Sequence, residues 1–314
     1  MSRAIDRLPR GVVMIERDWL SSNHVLLFDD DRATIIDTGY GKHAATTGQL
    51  VAAALRNNPH GGAARLQRIL NTHLHSDHCG GNATLAAAHE CTTYVPAASL
   101  AAVRNWPQMA DEYDSLAQRC QRFEATGAIS PGEIIHGGGL DWTVHAAPGH
   151  DPRSLIFFNP EHRILLSADA LWQYGFGVIF PEIFDQSGFA EQAAVLELIE
   201  SLEPAVVIPG HGPAFDDVAD ALTRARRRLD KFVAQPLLSH QHALKVMIKF
   251  LLLDREQIGV AQLHDLAERT LIFQELARQL NTPMRTVIDT TVAALQAQQQ
   301  LRRQDDILFN DAPQ

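Results

Sequence analysis

Through the first two-thirds of the chain, short apolar runs alternate with turn residues: GVVMI, HVLLF, ATIID, LQRILN, TTYVP, WTVHA, SLIFF, RILLS and AVVIP. Runs of this length, rich in β-branched residues and bounded by Gly, Pro, Asn or Asp, predict strands. Between them the spacing of apolar positions predicts helices over 46–56, 83–89, 110–124 and 189–201. The stretch FFNPEHRILL, with its Asn-Pro turn, predicts a hairpin instead of a purely alternating strand-helix chain. The expected architecture is therefore a mixed, layered α/β domain.

From about residue 216 the texture changes to helical periodicity. DDVADALTRARRRLDKFV precedes Pro236, and HQHALKVMIKFLLLD places Ala243, Val246, Met247, Phe250 and Leu251 at helical spacing. A third helix is expected from NTPMRTVIDTTVAALQ, with Thr282 as N-cap and Pro283 at the first helical position. The glutamines at 296–300 read as its exposed end, and LRRQDDILF reads as a small hairpin. The division expected from this change is residues 1–215 for a catalytic α/β unit and 216–314 for a helical C-terminal extension.

Composition narrows the class. With 314 residues, 46% hydrophobic and 20% charged, the chain is expected to be a soluble globular protein with a substantial core. A formal charge of -10 argues against a surface built broadly for phosphate backbones. Segment 215–314 holds 13 Lys or Arg and 13 Asp or Glu, so nucleic acid is not an expected partner there, and RARRR at 224–228 reads as a solvated helix face. Three cysteines without a C-x-x-C pair suggest no disulfide framework. No apolar leader is read in MSRAIDRLPRG and the longest apolar run is too short to span a bilayer, so a cytoplasmic protein without membrane association is expected.

The chemistry concentrates in NTHLHSDHCGGN, residues 71–82. His73 and His75, one residue apart, share a face in extended chain and can share a cation. Asp77 and His78 fall where the chain must turn before Gly80 and Gly81, and can diverge toward a second position. A lone histidine among the fifteen in this chain would ordinarily be a core or surface residue. Four potential ligands in six positions are not so easily explained. His150, Asp169 and His211 each follow an apolar strand, two of them in the same tripeptide Pro-Gly-His, which describes one sheet edge converging on one site. Cys79 follows His78, yet the ligand set is complete without it, and it reads as a small buried residue.

THLHSDH, with His150, Asp169 and His211 downstream in that order, resembles the metallo-β-lactamase-fold hydrolases over roughly 11–212. The resemblance implies a four-layer αβ/βα sandwich with a metal pair at one edge. It assigns His73, His75 and His150 to one metal, Asp77, His78 and His211 to the second, and Asp169 to both. Asp37, in IIDTG, matches the family's acidic residue that supports the site. Seven nitrogen and oxygen ligands exceed one tetrahedral ion, and without thiolate they suit two zinc ions, with iron or manganese as alternatives.

A metal-bridging hydroxide would then be the nucleophile, attacking a small ester or thioester, so Asp77 and Asp37 enter as catalytic candidates. The expected partner is a small-molecule acyl substrate. Because Asp169 is present, true β-lactamases, which lack that aspartate, are a poor match. The hydroxyacylglutathione hydrolase branch is closer, although the chain has neither Lys nor Arg between Asp169 and His211 for glutathione carboxylates. Alternatives are a phosphodiesterase or ribonuclease, a lactonase, and a non-catalytic effector that keeps the metal site. Trp172, Tyr174 and Phe176, beside Asp169, are expected to wall the substrate pocket, and 103–124 to form a helical flap over the metals. The C-terminal region, weakly similar to a winged helix, is expected to cover the pocket or form a homodimer.

Overall fold

The computed structural model describes residues 4–311; the outermost residues of the N-terminal stretch and of the C-terminal extension lie outside them. A six-stranded sheet runs in chain order through β1 Val12–Ile15, β2 His24–Asp29, β3 Arg32–Ile36, β4 Arg65–Leu70, β5 Thr92–Pro96 and β6 Gly127–Ile129. Its first three strands are antiparallel and β3 through β6 are parallel. A second sheet has the order β11-β10-β9-β8-β7, from β7 Ile134–Gly137, β8 Leu140–Ala146, β9 Leu155–Asn159, β10 Ile164–Ala168 and β11 Val206–Pro209. The expected hairpin is β9-β10, with Asn159 opposite Ile164.

Strict alternation along the strands builds the layers. Val25 and Leu27 of β2 face inward, where they meet Trp142, Val144, Phe157 and Leu166 of the second sheet. Leu26 and Phe28 face outward onto Val51 and Leu55 of α1 (Ala44–Arg56). The second sheet likewise turns Ile156, Phe158 and Val207 outward. The result is the four-layer αβ/βα sandwich implied by the resemblance. Helices α2 Ser76–Cys79, α3 Asn82–His89, α4 Leu100–Arg104, α5 Trp106–Ser115 and α6 Phe180–Ile183 decorate it. Helices α7 Phe189–Leu202 and α8 Val218–Ala234 form the outer layer on the second sheet.

Three expectations shift. Apolar residues of α8, among them Ala221, Leu222 and Phe232, share one core with Val207 of β11 and Leu196 of α7, so a division at 215/216 cuts through a single cluster. Pro236 opens the next helix, α9 Pro236–Arg255, whose Leu238 and His242 still pack against this cluster and Phe232. The helix expected over 110–124 ends at Ser115, because Ala117 takes φ 55° and Gln118 is held by the backbone of Ser76. Thr282 does not cap: its hydroxyl donates to Leu280 O, and the helix starts one residue after Pro283.

Beyond α9 come β12 Gln257–Gly259, α10 Val260–Arg269, α11 Leu271–Gln279, α12 Met284–Ala297, β13 Leu301–Gln304 and β14 Ile307–Asn310. The last two strands are the expected hairpin, and β12 adds to it as a third strand. The core of this region is continuous with Val178 and with Ile183 of α6, in the segment after Asp169. Among the described residues no helix is long and apolar enough to cross a membrane.

Candidate metal centre

Asp37, His73 to His78, Asp169 and His211 follow β3, β4, β10 and β11, which end at the same edge because neighbouring strands in each set are parallel. His150 follows β8, which is antiparallel to β9 and therefore runs with β10. The carboxyl ends of the strands thus converge on one crevice, the usual ligand position in α/β sheets.

The 71–82 stretch is folded back on itself. Asn82 Nδ2 donates to Asn71 Oδ1 at 2.7 Å, and Thr38 Oγ1 donates to Asn82 Oδ1 at 2.7 Å, so the first and last residues of the motif close its base. A side chain at Gly80 or Gly81 would collide with the backbone of Tyr40–Gly41 or Thr38. The glycines let α2 sit close enough for Asp77 and His78 to reach the crevice.

Three groups of ligand atoms lie within 4.8 Å of one another: His73, His75 and His150; Asp77, His78 and His211; and His73, His78 and Asp169. In the first, His75 Nδ1 is 2.8 Å from His150 Nε2 and 3.1 Å from His73 Nε2. In the second, His211 Nε2 is 3.2 Å from Asp77 Oδ2. Asp169 spans both: Oδ2 is 3.3 Å from His150 Nε2, and Oδ1 is 3.4 Å from His78 Nε2.

Surrounding groups fix which nitrogen each ring presents, as metal-ligating histidines require. His150 Nδ1 donates to Val178 O at 2.5 Å, leaving Nε2 to the crevice. His78 Nδ1 lies 2.7 Å from Asp37 Oδ2. His73 Nδ1 lies 3.1 Å from Thr72 Oγ1, and that hydroxyl donates to Asp37 Oδ2 at 2.7 Å. His75 turns Nε2 toward Asp151 Oδ2 at 3.8 Å. Gly177 belongs to the same frame, since a Cβ there would stand 2.5 Å from His150 Nδ1.

The donor set fits divalent cations on two counts. Buried imidazoles crowd nitrogen to nitrogen, and burial drives the pKa of His75 and His150 down to about 4, leaving them neutral ligands. Burial also disfavours charge on His78, but the carboxylates of Asp169 and Asp37 outweigh it and hold its pKa well above the ordinary imidazole value. His78 Nε2 is nonetheless buried without a hydrogen-bond partner among the described residues, a position that favours positive charge.

The three residues expected to wall the pocket stand in different places. Trp172 is at the site: its Nε1 donates to Asp169 Oδ1 at 3.2 Å, and its ring stands edge-on to His211. Tyr174 is 74% exposed and lies under the Arg224 guanidinium, away from the ligands. Phe176 is wholly buried against Phe232, because the chain turns it into the outer core. Sequence reasoning missed Trp19, whose ring stacks on His211 at 5.6 Å with planes 8° apart and meets Trp172 edge-on at 5.4 Å. Phe180 contacts the rings of His75 and His150 from the other side. Segment 103–124 is not a helical flap over the ligands: α4 and α5 pack Val103, Met109 and Tyr113 beside the metal loop, against Leu74 and Cys79.

A sandwich of this layering with a histidine and aspartate cluster at its strand ends defines a metal-binding α/β protein. The chain belongs to the metallo-beta-lactamase superfamily, whose family model matches residues 17–211. A hydroxyacylglutathione hydrolase from Bdellovibrio bacteriovorus is 31% identical over 145 residues, 46% of this chain and 47% of that protein. An acyl-coenzyme A thioesterase from Bos taurus is 26% identical over 224 residues, 64% of this chain and 77% of that one. The chain spans about half the length of the first curated relatives it matches. A metallo-beta-lactamase family protein from Thermus thermophilus shares the fold at 18% identity and a TM-score of 0.56, over 96% of this chain and 98% of that one.

Proposed function

We propose that the chain is a metal-dependent hydrolase of small acyl thioesters or esters, holding two divalent ions, zinc foremost and iron or manganese as alternatives. The observation that carries this reading is Asp169, which directs one carboxylate oxygen at each of two ligand groups. Relatives named as thioester hydrolases support the substrate class. His73, His75 and His150 would hold one ion, and Asp77, His78 and His211 the other. Two such ions, when bound, supply Lewis acidity that polarises a carbonyl and makes water a competent nucleophile near neutral pH.

The chain's own residues do the rest. Asp37, Thr72, Asp151 and the Val178 carbonyl orient the imidazoles, so Asp37 is a positioning residue and not one that touches substrate. Trp19, Trp172 and Phe180 line the approach with apolar surface suited to an acyl group. The test is a panel of acyl thioesters, lactones and phosphodiesters on zinc-loaded and chelator-stripped protein. Thioester turnover that vanishes on chelation is expected; turnover confined to phosphodiesters, or a chain that takes up no metal, overturns the reading.

A further inference from the structure

Cys79 and Cys120 are 41 positions apart in the chain, yet their Sγ atoms lie 3.9 Å apart. Cys79 is fully buried at the end of α2, directly after His78, with its thiol donating to the His75 carbonyl at 3.3 Å. Cys120 is half-buried in the irregular segment after α5, so it is the thiol that solvent reaches first. The same segment anchors the metal loop through Gln118 Oε1, which accepts from Ser76 N at 3.1 Å, and anchors α9 through Arg119 on Asp254. Tyr113 closes the pair from the side, its hydroxyl 3.1 Å from Cys79 Sγ.

We propose that Cys120 and Cys79 form a peroxide-driven disulfide that ties this segment covalently to the metal loop. A hydroperoxide oxidises Cys120 to the sulfenic acid: its O–O bond breaks, sulfur loses two electrons, and one oxygen leaves as water or an alcohol. Cys79 Sγ then attacks Cys120 Sγ; the S–S bond forms, the S–O bond breaks, and the hydroxyl departs as water with the Cys79 proton. Bonding requires the sulfurs to close to about 2.05 Å. Cys79 is pinned within α2 and its glycine-backed loop, so the movement falls on Cys120, in backbone free of regular hydrogen bonding. Cys91 belongs to a different apolar cluster from this pair, its thiol donating to Leu85 O within α3.

The test treats the full-length, zinc-loaded chain with equimolar hydrogen peroxide and maps its cysteines by mass spectrometry. The expected product lacks two hydrogen atoms, yields a cross-linked Cys79–Cys120 peptide and returns to the starting mass with dithiothreitol. Cys91→Ser should behave like the parent, and Cys120→Ser should form no cross-link. Cys79→Ser should halt at a sulfenic acid on Cys120, trapped by dimedone. Oxidation without the cross-link in the parent chain, or a cross-link that survives Cys120→Ser, overturns the proposal; because Cys120→Ser alters only a half-buried side chain, that arm stands even if Cys79→Ser fails to fold.

Discussion

Asp37 Oδ2 sits 2.7 Å from His78 Nδ1, and the same carboxylate receives the backbone N–H and the hydroxyl of Thr72. Asp37 takes φ 57°, a left-handed conformation that a short polar side chain tolerates, and this turns the carboxylate back beneath the metal loop. Replacing it with Asn keeps the shape but removes the charge that holds His78. Asp37→Asn is expected to weaken metal binding by about 10- to 100-fold, the usual cost of losing such a partner. Chelator competition measures it; unchanged affinity would show that Asp37 only makes a turn.

How much of this site was legible in the sequence follows from what each residue depends on. His73, His75, Asp77 and His78 are close in the chain, and His150, Asp169 and His211 each follow an apolar run, so local pattern exposed all seven. Asp151, Trp19 and Gly177 carry no such mark: they matter because tertiary packing brings them against His75, His211 and His150. Phe176 and Tyr174 misled because aromatic residues signal burial, not direction, and the turn at Trp172–Gly175 sends one into the core and one to solvent. The nine apolar runs became strands. β6, β7 and β12 were missed because none of them holds more than two adjacent apolar residues.

Acid should destabilise the fold through His24, a buried histidine outside the ligand set. The ring is fully buried; Arg17 donates to its Nε2 at 2.7 Å, so only the neutral form fits. Burial first and Arg17 second push its pKa down to about 3 from 6.5. Between those values the unfolded chain binds the proton and the folded chain does not, so stability falls as pH drops below 6.5 toward 3. The share due to His24 is about 2 kcal/mol at about pH 5. Urea unfolding of stripped protein at about pH 7.5 and pH 5 measures it; His24→Gln, which cannot titrate, should lose less stability over that interval than the parent, and an equal loss would count against the assignment.

Asp169 faces both ligand groups, so Asp169→Ala should lower the number of ions held as well as the rate. Metal analysis of zinc-reconstituted protein is expected to give about two ions per parent chain and about one in the variant, since without this carboxylate two neighbouring cations would repel with no negative charge between them. Thioester turnover should fall by at least about 100-fold. Full occupancy in Asp169→Ala would mean that the carboxylate bridges nothing.

Trp19 and Phe176 separate a pocket role from a packing role. Trp19 is 61% exposed over His211, so Trp19→Ala should leave the melting temperature nearly unchanged while raising KM several-fold for thioesters with long apolar acyl groups. Phe176 is wholly buried between Phe232 and the Arg228 guanidinium, 5.1 Å from its ring centroid. Phe176→Ala opens a cavity there and should cost about 3–5 kcal/mol of stability. Its KM should stay close to that of the parent, measured well below the melting temperature. Had Phe176 walled the pocket, its truncation would change acyl-chain preference and Trp19→Ala would not; KM across a series of acyl lengths in both variants decides between the two.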